Sequence, residues 1–224
     1  MMEVLKIDSL MIKDWLLRIH YAKRIPSISY AFGLYIDKEL CGIVTYGTPS
    51  SAPLKSGIAG VKNQSIVLEL NRLVFKKEIK NGASYLISKS LKYLPKPTIV
   101  VSYADTGQGH IGYVYQACNF IYTGLSAKRT DWKIRGKENL HGQTIADMSR
   151  GVEGSRVKFM KDKFGDDFYL KDRDRKHRYI YIVANKYDRP KIRNEILYKE
   201  EKYPKGYTKK YEINYEPNCQ ILLL

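Results

Sequence analysis

Short apolar runs separated by polar residues dominate the first part of the chain, and their periods predict both strands and helices. From Leu10 to His20 the apolar positions recur at helical spacing, with Ser9 as the N-cap. Segments in which apolar positions alternate predict three strands, over residues 29–34, 40–46 and 65–75. The small residues of 50–64 predict a loop, long enough to suggest a functional role.

The stretch from Ile99 to Gly124 changes period twice and predicts a strand, a polar loop, a helix and a second strand. The first strand is a continuous apolar run, the helical spacing begins at His110, and Asn119 ends it. Polar groups at the carboxyl end of a buried strand lie where open α/β sheets bind ligands. The polar residues at this end are Ser102, Tyr103, Asp105, Gln108 and His110.

The remainder of the chain is richer in charge than in apolar pattern. Residues 128–150 form a polar run punctuated by glycine, and residues 156–163 are basic with a helical period. Residues 169–176 predict a solvated turn, and the apolar run that follows predicts the last strand. From residue 185 the Lys- and Tyr-rich sequence predicts an extended, partly disordered tail.

The net charge of +16 on 224 residues makes a polyanion the first partner to expect. Nineteen tyrosines offer rings that stack on bases, although an AT-rich coding sequence would also supply them. The three cysteines have no metal or redox spacing, which fits a reducing cytoplasm. No apolar run approaches the ~20 residues that a membrane helix needs, so no membrane partner is expected.

Polar side chains inside the long strand are costly unless they are paired. Glu69, Asn71 and Arg72 are therefore either a structural network or catalytic groups. Strict alternation places Glu69 and Asn71 on one face and Arg72 on the other. Glu69 is a candidate general base, or one half of an ion pair with Arg72. His20 and Tyr21, at the predicted end of the first helix, are either substrate contacts or ordinary helix-end residues.

Other candidate groups lie at strand ends. Asp105 and His110 could orient each other, bind a metal, or brace their loop with a hydrogen bond. Tyr46, beside a glycine, is either a general acid or a tyrosine at the edge of the core. Ser102 and Tyr103 point to opposite sides of one strand, so at most one of them faces a given ligand.

The order of hairpin, long strand, loop, helix, strand, helix and strand resembles the GNAT acyltransferase fold. In that fold, backbone amides after the fourth strand hold the pyrophosphate of acetyl-CoA. The resemblance implies this role for Asn81, Gly82, Ala83 and Ser84. It also matches Tyr115 to a tyrosine that often faces the sulfur of CoA.

A narrower resemblance covers about residues 10–185. The segments HYAKRIPS, GIVTYGTPSSAPL, ELNRLVF, SYADTGQGHIGYVYQACNFIYTG and KHRYIYIV, in this order, resemble the Mom family of phage DNA-modification proteins. The resemblance implies conversion of adenine in phage DNA to N6-(carbamoylmethyl)adenine, with acetyl-CoA and an iron ion as cofactors. It also implies a substrate-facing insertion before the last strand. The candidate contacts to DNA are His20, Tyr21, Arg72, Tyr103, Gln108, Trp132, Lys133, Arg135 and His141.

We therefore expect an α/β (α+β) domain over residues 1–184, with a GNAT-like mixed central sheet and flanking helices. It includes a DNA-facing insertion over 126–176 and precedes a basic extension over 185–224. The candidate catalytic residues are Tyr46, Glu69, Ser102, Asp105 and His110, of which Asp105 and His110 are also the candidate metal ligands.

The expected function is modification of a flipped adenine in double-stranded DNA, in the cytoplasm of a bacterial host, as protection against restriction. One alternative is a GNAT N-acetyltransferase acting on a protein, a small-molecule amine or a pre-modified DNA base. Another alternative is a basic DNA-binding protein without enzymatic activity. A homodimer is included among the expected partners.

Overall fold

The computed structural model describes residues 1–20, 22–49, 51–140 and 142–206, in which the chain forms two compact units. One unit comprises residues 1–125 and the chain from Lys176 onward, and the other comprises Ser126–Arg175. Tyr21, His141 and residues 207–224, which carry predicted contacts or the end of the predicted tail, lie outside the described residues. In the described part of the chain, no helix is long and apolar enough to cross a bilayer.

A seven-stranded mixed sheet in the order β1-β2-β3-β4-β5-β9-β6 is the centre of the first unit. Its strands are β1 (Met2–Lys6), β2 (Tyr30–Ile36), β3 (Glu39–Gly47), β4 (Val67–Phe75), β5 (Thr98–Asp105), β6 (Ile121–Leu125) and β9 (Lys176–Val183). Neighbouring strands are antiparallel, except that β4 and β5 are parallel. Each strand predicted in this unit is present, and the mixed α/β sheet with flanking helices confirms the predicted fold class.

The helices of the first unit are α1 (Ala52–Asn63), α2 (Gly82–Ser90), α3 (Tyr113–Ala117) and α6 (Asp188–Asn194). The loop predicted over residues 50–64 is wrong, because most of this segment forms helix α1. Pro53 lies in the first turn of that helix, where its missing N–H is tolerated. The regular helix predicted from Leu10 is instead a 3-10 turn followed by a π-helical turn over Trp15–Ile19. Asp8, not Ser9, caps this segment.

The sheet has two covered faces. On the α2 face, helices α2 and α3 pack over strand residues that include Val44, Tyr46, Leu70 and Val100. On the α1 face, helices α1 and α6 pack over strand residues that include Val67, Ile99, Val101 and Ile180. Apolar side chains dominate both faces, and the polar exceptions in β4 are Glu69, Asn71 and Arg72.

The segment after β9 differs from the extended, partly disordered tail predicted from residue 185. It forms α6 and then passes helix α1, where the Leu197 amide donates to the Ile58 carbonyl at 2.9 Å. The Glu201 amide donates to the Tyr122 carbonyl at 2.9 Å. Because β6 is the last strand of the sheet, this segment covers part of an edge that would otherwise be open to pairing.

The second unit contains the antiparallel pair β7 (Arg129–Ile134) and β8 (Phe168–Arg173), with helices α4 (Gly142–Asp147) and α5 (Arg156–Phe164). Its own small core is built on Ile134, Ile145, Met160 and Phe168. Helix α5 confirms the helical period of residues 156–163. The solvated turn predicted over residues 169–176 is wrong, since most of it is strand β8.

Candidate active site

The parallel strands β4 and β5 pair over only part of their length. Their register runs from Val67 opposite Ile99 to Leu70 opposite Ser102. Beyond these pairs β4 continues beside β3, and β5 continues beside β9. The two carboxyl ends therefore separate, and the last pair is tied by the Ser102 hydroxyl, which donates to the Leu70 carbonyl at 3.1 Å.

A β-bulge lies in β4 at the point of separation. Thr45 of β3 is opposite Arg72 and Tyr46 is opposite Leu70, so Asn71 is the extra residue. The bulge shifts the alternation by one position. Glu69 and Arg72 consequently lie on the same side of the sheet, the α1 face, and the prediction that they lie on opposite faces is wrong.

Asn71, the extra residue of the bulge, attaches residues 24–27 to the sheet. Its Oδ1 accepts from the Thr45 hydroxyl at 2.6 Å, and its Nδ2 donates to the Ser27 carbonyl at 2.8 Å. The Arg72 guanidinium donates to the Asn71 carbonyl at 2.6 Å and to the Arg24 carbonyl at 3.2 Å. Residues 24–27 are therefore held across β4 by two consecutive side chains near the middle of that strand.

Glu69 is the central acidic group at the split. Burial raises the pKa of its carboxyl, and the positive charges of Arg72 and Lys176 oppose that rise. The Lys176 ammonium also forms an ion pair with Asp105 at 2.9 Å, as the register of β5 and β9 places these two residues opposite each other. The fold thus brings together four charged groups from three strands: Glu69, Arg72, Asp105 and Lys176.

His20 joins this cluster from the N-terminal helical turns. Its side chain is buried, and its Nδ1 accepts from the Ala22 amide at 3.0 Å. Burial, and then the nearby Arg72 charge, lower the pKa of His20 to about 4. The imidazole is therefore neutral at pH 7, and because Nδ1 is the acceptor, Nε2 carries the proton and can donate a hydrogen bond.

Asp105 and His110 are arranged as a braced loop. Asp105 Oδ1 accepts from the Gly107 amide at 3.0 Å, while Oδ2 faces Lys176. The His110 backbone amide donates to the Asp105 carbonyl at 3.0 Å, and the residue is exposed. With both Asp105 oxygens engaged, and no metal-binding group of three or more His, Cys, Asp or Glu side chains among the described residues, the donor set does not fit the predicted iron ion.

Two other predicted residues lie on opposite sides of the sheet. Tyr46 is fully buried on the α2 face, where its hydroxyl is 2.7 Å from the Ser90 hydroxyl and burial strongly raises its pKa. Tyr103 is half-buried on the α1 face, two residues before Asp105 along β5. Gln108 is exposed in the turn after β5. Tyr46 therefore retains its proton in a packed core, whereas Tyr103 shares the face that carries Glu69.

The start of α2 is shaped to receive an anion. Asn81 adopts φ +59° and makes no side-chain capping bond, so the amides of Ala83 and Ser84 keep the open positions of a first helical turn. The Ser84 hydroxyl turns back to the Asn81 carbonyl at 3.1 Å. Gly82 is packed so tightly that an added Cβ would lie 2.9 Å from Ile79. Lysines precede this turn at positions 76, 77 and 80.

Tyr115 lies on the same face of the sheet as α2. It is buried, and its ring contacts Phe120 and Tyr179 with centroid separations of 5.4 and 5.3 Å. Its ring belongs to the aromatic core that supports α2 and α3. Among the described residues of the second unit, Trp132 packs edge-on against Phe168 at 5.2 Å, while Lys133 is half-buried and Arg135 is exposed.

Lys176 is the site residue that the sequence reasoning missed. The sequence pattern places it only at the start of the predicted last strand, with no role in a site. The signal was present in the pattern, because an antiparallel strand beginning with Lys-His-Arg must place a cation beside the carboxyl end of β5. Pairing β9 with β5 would have been needed to use that signal, and the strand order is not encoded in local periodicity.

Solved structures with a similar chain path are acetyltransferases. A GNAT-family acetyltransferase from Bacillus cereus matches with a TM-score of 0.42 and 15% identity, covering 83% of this chain and 99% of that one. A putative acetyltransferase, yncA, from Salmonella typhimurium, determined with its cofactor acetyl-CoA, matches with a TM-score of 0.44 and 9% identity. That match covers 82% of this chain and 95% of the other.

The sequence itself has a relative and a family. The methylcarbamoylase Mom of Escherichia phage Mu is 29% identical over 205 residues, which cover 87% of this chain and 82% of the phage Mu protein. The family model described as the Mom protein family matches residues 1–205, which include every described residue of the charged cluster and of the α2 turn. The chain belongs to the Mom protein family.

Proposed function

We propose that this protein modifies adenine in double-stranded phage DNA, using acetyl-CoA, and yields N6-(carbamoylmethyl)adenine that protects the DNA from restriction in the cytoplasm of a bacterial host. The observation that carries the proposal is the half-buried Glu69 carboxyl at the split between β4 and β5, flanked by Arg72 and Lys176. Membership of the Mom family directs this chemistry toward phage DNA.

The residues at the start of α2 fit the pyrophosphate of acetyl-CoA. The amides of Ala83 and Ser84 would bind phosphate oxygens, and the positive end of the helix dipole would favour the negative charge. Lys76, Lys77 and Lys80 would add positive charge beside them. When bound, acetyl-CoA supplies an activated two-carbon unit as a thioester. The carbamoylmethyl product carries one nitrogen more than an acetyl group, and it is joined to adenine through the carbon that is the methyl group of acetyl-CoA. The reaction therefore also requires a nitrogen donor and a two-electron oxidant that accepts the two hydrogens lost when the carbon–nitrogen bond to adenine forms.

Glu69 is suited to accept a proton from the exocyclic amine of adenine. That amine is occupied in the base pair, so the base must leave the duplex before it can approach the half-buried Glu69 carboxylate. Burial raises the pKa of this carboxyl, which makes its ionised form a stronger base, and the charges of Arg72 and Lys176 favour that ionised form. Neutral His20, beside Arg72, could hydrogen-bond a ring nitrogen of the extruded base.

A second candidate function uses the same groups on a different amine. The Glu69 carboxylate, together with an anion-binding helix start, would also serve an N-acetyltransferase acting on a protein, a small-molecule amine or a pre-modified DNA base. This function predicts thiol release from acetyl-CoA when the amine is supplied in place of unmodified DNA.

Mass spectrometry of nucleosides from plasmid DNA tests the proposal. Cells expressing the wild-type chain should contain a deoxyadenosine species heavier by the carbamoylmethyl group. The Glu69→Gln variant should lose it, with at least a hundredfold lower yield, because the amide cannot accept the proton. The same substitution at the exposed Glu3 is the matched control and should leave the yield unchanged. Unmodified DNA from cells that hold folded wild-type protein would refute the proposal.

A further inference from the structure

The two-stranded ribbon of the second unit has one apolar face and one basic face. Alternation along β7 and β8 directs Trp132, Ile134 and Phe168 to the small core. The opposite face carries three cross-strand pairs, Arg129 with Arg173, Asp131 with Lys171, and Lys133 with Tyr169. We call this set of six residues the basic ribbon face.

Exposure and charge distinguish the basic ribbon face from an ordinary solvated surface. Arg129, Lys171 and Arg173 are exposed, whereas Lys133 and Tyr169 are half-buried. Arg173 forms an ion pair with Asp131. Hydrogen bonds from the Glu138 and Gly136 backbone amides, and then the Lys133 charge, lower the pKa of the Glu138 carboxyl. Even after these interactions, the face remains strongly positive around Arg129 and Lys171.

The pair of Arg129 and Arg173 points to an anionic ligand. Like charges directly opposite each other on neighbouring strands destabilise a sheet, because their Cβ atoms are only about 5 Å apart. Asp131 already neutralises the Arg173 guanidinium, so an anion beside the Arg129 guanidinium would complete the charge balance of this pair. Along β7, the side chains from Arg129 to Lys133 span about 13 Å, so several anions in a row would be contacted together.

We propose that the basic ribbon face binds the phosphate backbone of double-stranded DNA. A two-stranded ribbon is of a size that the major groove admits, and the row of arginines and lysines matches a row of phosphates. Tyr169 adds a hydroxyl that can bond phosphate. This inference rests on the proposed function, since it assigns a docking surface to the DNA that the enzyme modifies.

Binding of the full chain to a fluorescent 20-base-pair duplex, measured across a salt series, tests the inference. The double variant Arg129→Gln/Lys171→Gln retains the Arg173–Asp131 ion pair. It should reduce the slope of log affinity against log salt by about 2, since each phosphate contact contributes about 0.9. The matched control Lys13→Gln/Lys92→Gln removes two exposed charges from the first unit and should leave the slope unchanged.

The single variant Arg129→Glu provides a second measurement, and it places opposite charges at the pair of Arg129 and Arg173. It should weaken duplex binding more than Arg129→Gln does, while the protein unfolds at a temperature no lower than that of the wild type. An unchanged slope for the double variant, in a wild-type protein that binds and modifies DNA, would overturn the inference and leave the proposed function standing. A slope that falls only with single-stranded DNA would also overturn it. Absence of duplex binding by the wild type at any salt concentration would remove both.

Discussion

The close approach of Gly47 to the segment that crosses β4 gives a sharp test of the site's construction. A Cβ built on Gly47 would lie 1.8 Å from the Ser27 carbonyl oxygen and 3.1 Å from Asn71 Nδ2. The nearest atoms are backbone, which cannot rotate away as the end of a side chain can. The Gly47→Ala variant must therefore displace residues 24–28, by about 1.2 Å or more, to restore even the shortest tolerated contact of 3.0 Å.

Two hydrogen bonds are lost with that displacement. Asn71 Nδ2 donates to the Ser27 carbonyl at 2.8 Å, and the Ser29 amide donates to the Tyr46 carbonyl at 2.8 Å. At about 1 kcal/mol each, with some residual strain, the free energy of unfolding should fall by about 2–3 kcal/mol. For a chain of this size, such a loss lowers the melting temperature by roughly 5–10 °C.

The assay is thermal unfolding combined with the yield of modified nucleoside. Because residues 24–27 are fastened to Asn71 and Arg72, Gly47→Ala should also reduce the yield below the melting temperature. The control is Gly57→Ala within α1, where the nearest atom to the added Cβ is the Tyr198 hydroxyl at 3.2 Å. Alanine favours a helix interior, so this control should be neutral or slightly stabilising. A Gly47→Ala protein with wild-type stability would refute the reasoning.

Four further predictions concern single side chains. Since the pKa of His20 is about 4 in the folded chain against 6.5 ordinarily, the stability it supports is complete above pH 6.5. That stability falls as the pH drops toward 4, by up to about 2–3 kcal/mol after allowing for screening. In acid unfolding experiments, the free energy of unfolding of His20→Gln should therefore depend less on pH than that of the wild type. Lys176→Gln should raise the pKa of Glu69 further and move the acidic limb of the pH–rate profile to higher pH. If the acidic limb does not move, the Lys176 charge does not affect the titration of Glu69. Ala83→Asp should stabilise α2 by about 0.3–1 kcal/mol while raising the KM for acetyl-CoA, and a KM that did not rise would place the phosphates elsewhere. Ser102→Ala should lower the free energy of unfolding by about 1–2 kcal/mol, because it removes the hydroxyl that donates to the Leu70 carbonyl. An unchanged free energy of unfolding would show that this hydrogen bond does not stabilise the junction of β4 and β5.

The strands of the first unit were predictable because their apolar runs are long and bounded by turns. The β2–β3 hairpin and the buried run that became β5 follow directly from alternation and from turn residues. The loop predicted over residues 50–64 failed for the opposite reason. Its many small residues read as a loop, but packing of Ile58 and Ala59 against the sheet stabilises a helix, with Gly60 in a left-handed conformation at its kink.

The second unit and the tail were less predictable from local pattern. Strand β8 is highly charged, and it forms because Phe168 anchors its first residue in a small core while β7 supplies the partner strand. The segment after residue 194 has few apolar residues, yet long-range hydrogen bonds to Ile58 and Tyr122 order it on the sheet. Neither set of partners is adjacent in sequence, so periodicity carried no information about them.

The candidate site depends on the one position at which strand periodicity fails. Without the bulge at Asn71, Arg72 would point to the α2 face, and Lys176 alone would oppose the effect of burial on Glu69. The pKa of the Glu69 carboxyl would then be raised further, which would favour the protonated form that cannot act as a base. The extra residue turns Arg72 toward Glu69, frees the Asn71 amide to fasten residues 24–27, and coincides with the end of the β4–β5 pairing. The pairing of β4 with its neighbours and the position of the Arg72 charge beside Glu69 therefore both depend on this one extra residue. Strict alternation identified the polar residues of β4 but placed Arg72 on the wrong face, because it does not include a bulge.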